Sequence, residues 1–414
     1  MKLEAYLNAG VSPFHVVQTV KERLTESGFE EISFGADHKL AEGKGYLMTP
    51  YPSVLFAFRI DTWKRGMHIA AAHTDWPAFK LKPQPDIKDS SYLRVNTEPY
   101  GGMLKRTWFD RPLGLAGKVM LRNVQDPYHP GEVLFDSGAP WLIIPSLAPH
   151  LDREIETREI DAQKVLMPLY GTGQEGSFME KVAEKLGVAE EEILDYDLYL
   201  YNMDPAQVTG ADSDLLCAPR IDNIASVAAL TEGIAQVTEP SAGISLIALF
   251  ENEEIGSRSK QGADSELLRM VLEHIRRQMG LEGSIADELA ESMLLSVDGA
   301  HAMHPNYKDK SDETARAFLG GGVVLKTSAG QRYVTDSRAS AIIKGLCAEH
   351  GITLQQQANR SGAPGGQTLG PIASSYLPML AADLGIPMLA MHSARELAHI
   401  RDYEALEALM RVFL

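Results

Sequence analysis

The chain reads as an α/β protein: a three-layer α/β/α sandwich with a mostly parallel central sheet, interrupted by a β-rich insert. Three observations predict this. Short, almost continuously apolar runs at 67–72 (MHIAAA), 243–250 (GISLIALF) and 293–297 (MLLSV) have the look of strands buried on both faces. They alternate with segments whose apolar residues recur at helical spacing, the pattern of a parallel sheet covered by helices. From 84 to about 205 the grammar changes to short β-like pieces separated by Gly, Pro and Asp turns.

In order, Phe14, Val16, Val17, Val20 and Leu24 recur at helical spacing over 12–29, behind a Ser12-Pro13 start signal. Strands are expected at 52–60 and 67–72, the second delivering His73-Thr74-Asp75 at its end. The insert carries β-like pieces at 92–95, 117–122, 131–135 and 141–144 and a helix near 177–186. Alternation then resumes: helix 223–237, strand 243–250, helix 265–279, strand 293–297, helix 337–350, strand 352–356, helix 372–384 and a last buried strand at 388–391. The core is therefore discontinuous, 1–83 with 206–414, around an inserted domain at 84–205.

At 414 residues, two domains are expected. With 39 Lys and Arg against 56 Asp and Glu, the net charge of −17 argues against a nucleic-acid partner and is compatible with cation binding. Cys217 and Cys347 are too few for a thiolate zinc site or a disulfide framework, so any metal must be held by carboxylates and imidazoles. Neither a charged-then-apolar leader pattern nor a run of membrane-span length is present, which points to a cytoplasmic protein with no membrane partner.

The stretch LFENEEIGS at 249–257 ends a hydrophobic strand in Glu251, Glu253 and Glu254. Crowding acids there is costly unless something positive sits among them, and α/β sheets place ligands at such strand ends. This favours a metal or a catalytic acid–base pair over a solvated loop. Other strand ends carry His73 and Asp75, then Asp298, His301 and His304, then His392, while Asp222 opens a helix. Taken singly, each has a plainer reading: Asp222 as a helix cap, His392 as a core histidine, Asp75 as a turn cap. Jointly they converge on one crevice, and a histidine–carboxylate set without cysteine suits a pair of zinc-like ions.

HTD at 73–75, the pair Asp222-Asn223, NEEIGS at 252–257, DGAHAMHPNY at 298–307 and MHSARE at 391–396 together resemble the M18 family of metallopeptidases, the aspartyl aminopeptidases. The resemblance covers nearly the whole chain. Within the insert, TWFDRPLGLAGKV at 107–119 and PSLAPHLDR at 145–153 are similar to that family's dimerisation domain.

The resemblance implies a zinc-exopeptidase type of sandwich and a two-metal aminopeptidase that removes N-terminal Asp or Glu from peptides. It implies two divalent ions, zinc foremost, with manganese or cobalt as alternatives. Asp222 would bridge them, His73 and Asp298 completing one site and Glu254 and His392 the other. Glu253 would be the general base acting on a metal-bridging water, with Asp75 orienting the His73 imidazole. His301, Lys326 and Tyr333 would contact substrate beside Asp298, an acidic first side chain partnering Lys326. His150 would reach a neighbouring subunit's active site, in a dimer-based homo-oligomer forming a tetrahedral dodecamer. Two departures stand out: Trp76 follows HTD where the family has Ser, and Gly365-Gly366-Gln367-Thr368 replaces a Cys-Gly-Thr-Thr form. Rival expectations are an aminopeptidase or amidohydrolase with a non-acidic preference, and a non-catalytic peptide-binding scaffold.

Overall fold

The computed structural model describes residues 1–62, 66–89, 91–155, 157–173, 176–237, 242–363 and 365–414. They fall into two compact units: 1–75 with 206–391 and 396–414, and 76–205 with 392–395.

The first unit is built on a nine-stranded sheet. Its strands lie in the order Glu30–Glu31, Gly45–Tyr51, Val54–Ile60, Ile244–Phe250, Met67–His73, Met293–Val297, Leu380–Gly385, Val323–Thr327 and Leu354–Ala358. Five of the eight neighbouring pairs are parallel, and the central four strands all run one way. All seven residues of Ile244–Phe250 are buried, as a strand covered on both faces requires. Leu246, Ala248 and Phe250 pack with Phe56, Phe58 and Ile69 under the helices Leu267–Gln278 and Leu369–Tyr376. Helix Ile221–Ala235 packs against Met67–His73 and Ile244–Phe250, between them and the helices Leu3–Ala9, Pro13–Glu26 and Ile400–Phe413. Every residue of it except Ala235 is buried, so no face of it is left to solvent.

Parallel pairing places the ends of Met67–His73 and Ile244–Phe250 side by side, with His73 in register with Phe250. Asp298 follows directly on Met293–Val297. A second sheet in this unit joins Gln207–Thr209, Leu215–Ala218, Glu396–His399, Pro387–Leu389 and Ala300–His301. The second unit carries a six-stranded antiparallel sheet in the order Gly131–Asp136, Leu113–Leu121, Ile193–Asn202, Ala78–Asp89, Tyr92–Tyr100 and Leu169–Thr172. Its helix Phe178–Leu186 has a reciprocal Ser177/Glu180 cap and ends on Gly187 at φ 72°.

Three elements depart from expectation. The helix expected over 372–384 is two elements: helix Leu369–Tyr376, then the central strand Leu380–Gly385. Pro378 disfavours helical backbone before it and separates them. The 388–391 strand is Pro387–Leu389 and belongs to the second sheet rather than the parallel core. The piece at 141–144 makes only isolated bridges, Leu113 to Leu142 and Ile143 to Leu169. Among the described residues no helix is long and apolar enough to cross a membrane.

Candidate metal centre

Three adjoining strands and one helix start supply the centre. His73 is the last residue of Met67–His73 and is 1% exposed. Its Nδ1 lies 3.0 Å from the Asp75 carbonyl oxygen, so this nitrogen carries the ring proton and donates it there. The other nitrogen, Nε2, then presents its lone pair inward, 3.5 Å from Asp222 Oδ1 and 3.4 Å from Asp298 Oδ1. Three electron-pair donors converging on one buried point repel one another unless a cation or a proton lies between them.

Glu253 and Glu254 sit on the 3₁₀ turn Glu253–Ile255 that ends Ile244–Phe250, entered through Asn252 at φ 66°. Asp75 holds this turn from the neighbouring strand. Its Oδ1 accepts the Glu253 N–H and its Oδ2 the Glu254 N–H, each at 3.2 Å. Asp75 is fully buried. Its carboxylate also stands 3.4 Å from His73 Nδ1, so one residue fixes the histidine through its carbonyl and the paired glutamates through its side chain. Sequence reasoning anticipated only an influence on His73. Glu251 turns the other way, accepting from the Ser53 hydroxyl and from Gln261 Nε2 at 2.9 Å.

Asp222 enters on Arg220, whose φ of 62° is left-handed, and the Asp222–Asn223 peptide is cis. Its N–H donates to buried Glu396 Oε2 at 3.0 Å, while Asn223 Nδ2 donates to the Val297 carbonyl at 2.8 Å. Glu396 and Asn223 thereby tie Asp222 to the second sheet and to the strand bearing Asp298. The motifs MHSARE and Asp-Asn contain both residues, but no spacing rule discloses a hydrogen bond of this kind.

The structure gathers His73, Asp222 and Asp298 in one group of potential ligand atoms within 4.8 Å of one another, and His73, Glu253 and Glu254 in a second. Charge in the metal-free cluster is relieved by protons. Burial alone would lower His73, yet hydrogen bonding to Asp222, Asp298 and Asp75 holds it well above the ordinary imidazole value. Burial, countered by His73 and reinforced by Asp298, Asp75 and Asp222, pushes Glu253 up to about 8. Burial and then the Asp222 charge hold Glu254 well above the usual carboxylate range. Asp298 goes the other way: burial would raise it, but the Lys326 ammonium and His73 keep it well below that range. A donor set of imidazole and carboxylates that takes up protons in place of a cation fits a hard-to-borderline divalent metal.

Among the remaining expected residues, Lys326 is 1% exposed and sits inside the sheet, not at an exposed strand end. Its Nζ donates to the carbonyls of Asp298 at 3.1 Å and Gly299 at 3.0 Å, and lies 5.2 Å from the centroid of buried Tyr333. Asp383, its cross-strand partner and fully buried, adds a countercharge. His301 is exposed on Ala300–His301. His304 accepts the Asn306 N–H at 3.2 Å and is in neither of these ligand groups. In the second unit, His150 is exposed and Trp76 buried. His392, at φ 65°, has Nδ1 2.8 Å from the Gly102 carbonyl oxygen, which puts the ring proton on Nδ1, the same tautomer as His73.

A buried histidine–carboxylate cluster at the ends of parallel strands fits the centre of a metal-dependent hydrolase of the α/β class. The comparisons make this specific. Residues 6–414 match the family model described as aminopeptidase I zinc metalloprotease (M18), and the chain belongs to that family. It is 37% identical to a probable M18 family aminopeptidase 2 of Clostridium novyi, covering 94% of this chain and 92% of that one. It is 34% identical to an aspartyl aminopeptidase of Caenorhabditis elegans, covering 95% and 90%. Its fold superposes on the chain in a cryo-EM structure of an Ape4 and Nbr1 complex with a TM-score of 0.94 at 31% identity, covering 99% of this chain and 84% of that one. A Saccharomyces cerevisiae mApe1 dodecamer structure gives 0.85 at 25% identity, covering 99% and 95%. The protein is a metallo-aminopeptidase.

Proposed function

We propose that this enzyme uses two divalent ions to remove N-terminal residues, Asp or Glu in preference, from peptides. The observation that carries the reading is the convergence of His73 Nε2, Asp222 and Asp298 beside a glutamate pair clamped by Asp75. His73 and Asp298 would hold one ion, Glu254 and His392 the other, and Asp222 both. Zinc, when bound, would polarise the scissile carbonyl and acidify a water. Glu253 would take a proton from the attacking water and return it to the departing amine, a role suited to a carboxyl held on the turn beside the cluster. Its turn is fixed by backbone bonds, so the base is positioned before substrate arrives.

Substrate contacts are assigned to His301, Lys326 and Tyr333 next to Asp298, with the Lys326 charge favouring an acidic first side chain. The naming of the Caenorhabditis elegans relative as an aspartyl aminopeptidase supports that preference. The mApe1 dodecamer supports a homo-oligomer, assembled through dimers of the inserted domain into a tetrahedral dodecamer, with His150 completing a neighbour's site. The test is a panel of aminoacyl substrates on protein loaded with zinc, manganese or cobalt. Asp and Glu substrates should lead, and Glu253→Gln should retain metal but lose about 10²–10⁴-fold in turnover. Equal turnover by Glu253→Gln would sink the mechanism; preference for Leu or Lys would sink the specificity. His150→Ala should lose activity without losing metal.

A further inference from the structure

Beside Leu354–Ala358, the edge strand of the large sheet, lies a cavity of about 440 Å³ whose wall includes His301, Lys310, Asp312, Arg316 and Arg360. We propose that it is a second carboxylate site, for an anion of the peptide beyond its first residue. That anion is either an acidic side chain at the second position or the terminal carboxylate of a short peptide. The proposal rests on the aminopeptidase reading and extends it.

The charge balance is the first argument. In a chain of net charge −17, this one cavity gathers three permanent cations against a single carboxylate. Asp312 offsets only one of them and is held in its own turn, where Oδ1 accepts the N–H groups of Thr314 at 3.0 Å and Ala315 at 2.8 Å. Arg316 is half-buried, its guanidinium 5.9 Å from the Phe318 ring centroid. Among the described residues, neither Arg316 nor Arg360 meets a carboxylate at ion-pair distance. A guanidinium on an aromatic face with its planar fork open is suited to bidentate capture of a carboxylate.

Position is the second argument. His301 belongs to the wall of the cavity and lies three residues beyond Asp298. The wall is rigid, because Gln357 Nε2 donates to the His301 carbonyl at 3.0 Å, Ala358 N–H to the Ala315 carbonyl at 3.0 Å, and Ala302 bridges to Ala317. Lys326 is already assigned to the first side chain and is not part of this cavity's wall, so a second anion needs other cations. The volume suits an amino-acid-sized group.

The experiment uses the zinc-loaded protein and four peptides: Asp-Ala-Ala, its C-terminal amide, Asp-Asp-Ala amide and Asp-Asn-Ala amide. The expected result is a KM about tenfold lower for the free acid than for its amide, or for Asp-Asp-Ala amide than for Asp-Asn-Ala amide. Whichever pair differs identifies the source of the carboxylate. In Arg316→Ala/Arg360→Ala that ratio should fall to about one. A ratio near one in the unaltered enzyme for both pairs overturns the proposal, as does a ratio that survives the double variant. Should the double variant not fold, the exposed pair Lys310→Ala/Arg360→Ala reads the same ratio. Should no peptide be cleaved, the proposed preference for an N-terminal Asp fails. Calorimetric binding of the same four peptides then decides the carboxylate site independently.

Discussion

Replacing Asp75 by Asn tests whether one buried side chain organises the centre. The change keeps the shape and removes the charge. At present both oxygens accept backbone N–H groups, Glu253 on one and Glu254 on the other, each at 3.2 Å. An asparagine can satisfy only one, and its NH₂ must then face the second N–H, donor against donor. Hydrogen bonds to a charged group contribute roughly 1.5–3 kcal/mol each, and a surviving neutral bond roughly 1 kcal/mol. The metal-free protein should therefore lose about 2–5 kcal/mol of unfolding free energy. With the glutamate turn released and the charge beside His73 removed, zinc affinity should fall about 10–100-fold. Urea unfolding of chelator-treated protein reads the first quantity, and competition with a zinc-binding dye the second. Unchanged stability together with unchanged zinc affinity would refute the clamp; Asp75→Ala should be worse on both measures.

Other outcomes follow from the same geometry. Folded His73, Glu253 and Glu254 hold protons that the unfolded chain has begun to release. The metal-free protein should thus lose stability as pH rises from about 4.5 through about 8, by about 1.4 kcal/mol per pH unit for each group within its window, and zinc should flatten the loss. Urea midpoints at pH 6 and 8 check this, and a rise with pH would contradict it. Glu254→Gln should weaken zinc binding in the dye competition, whereas Glu253→Gln should leave it nearly intact. Lys326→Met strands two buried carboxylates, Asp298 and Asp383, and should cost about 3–5 kcal/mol, partly recovered in Lys326→Met/Asp383→Asn. Gly385→Ala would put a Cβ 1.7 Å from the Asp298 carbonyl oxygen, a backbone clash that should cost more than about 3 kcal/mol and abolish zinc binding.

Much of this site is legible in the chain because the strands beneath it are buried on both faces and so read as continuous apolar runs. Ile244–Phe250 and Met293–Val297 are of that kind, and the polar residues that end them stand out. Leu380–Gly385 is buried in the same way but spells LAADLG, whose Ala and Leu favour a helix; its place between two strands overrides that propensity. The edge strand expected at 352–356 lies at Leu354–Ala358, where three glutamines blur the pattern. Apart from Pro387–Leu389, the second sheet escapes a sequence reading because its strands are two to four residues long, shorter than any periodicity can register. What no pattern reveals is the use of backbone as anchor: the Asp75 carbonyl for His73, and the Glu253 and Glu254 N–H groups for Asp75.

That anchoring explains how one strand end tolerates three acids. Glu251 is drawn off to Ser53 and Gln261, so it adds no charge demand at the metal point. Glu253 and Glu254 remain adjacent and chemically identical, yet their surroundings differ. The leading charge on Glu253 is His73, which favours its ionised form, whereas that on Glu254 is Asp222, which opposes it. A cation placed against Asp222 and Glu254 would relieve that opposition, which is what favours Glu254 as the proposed ligand. The proposed division of two neighbouring glutamates into ligand and base thus rests on what each faces, on a turn held by a third carboxylate.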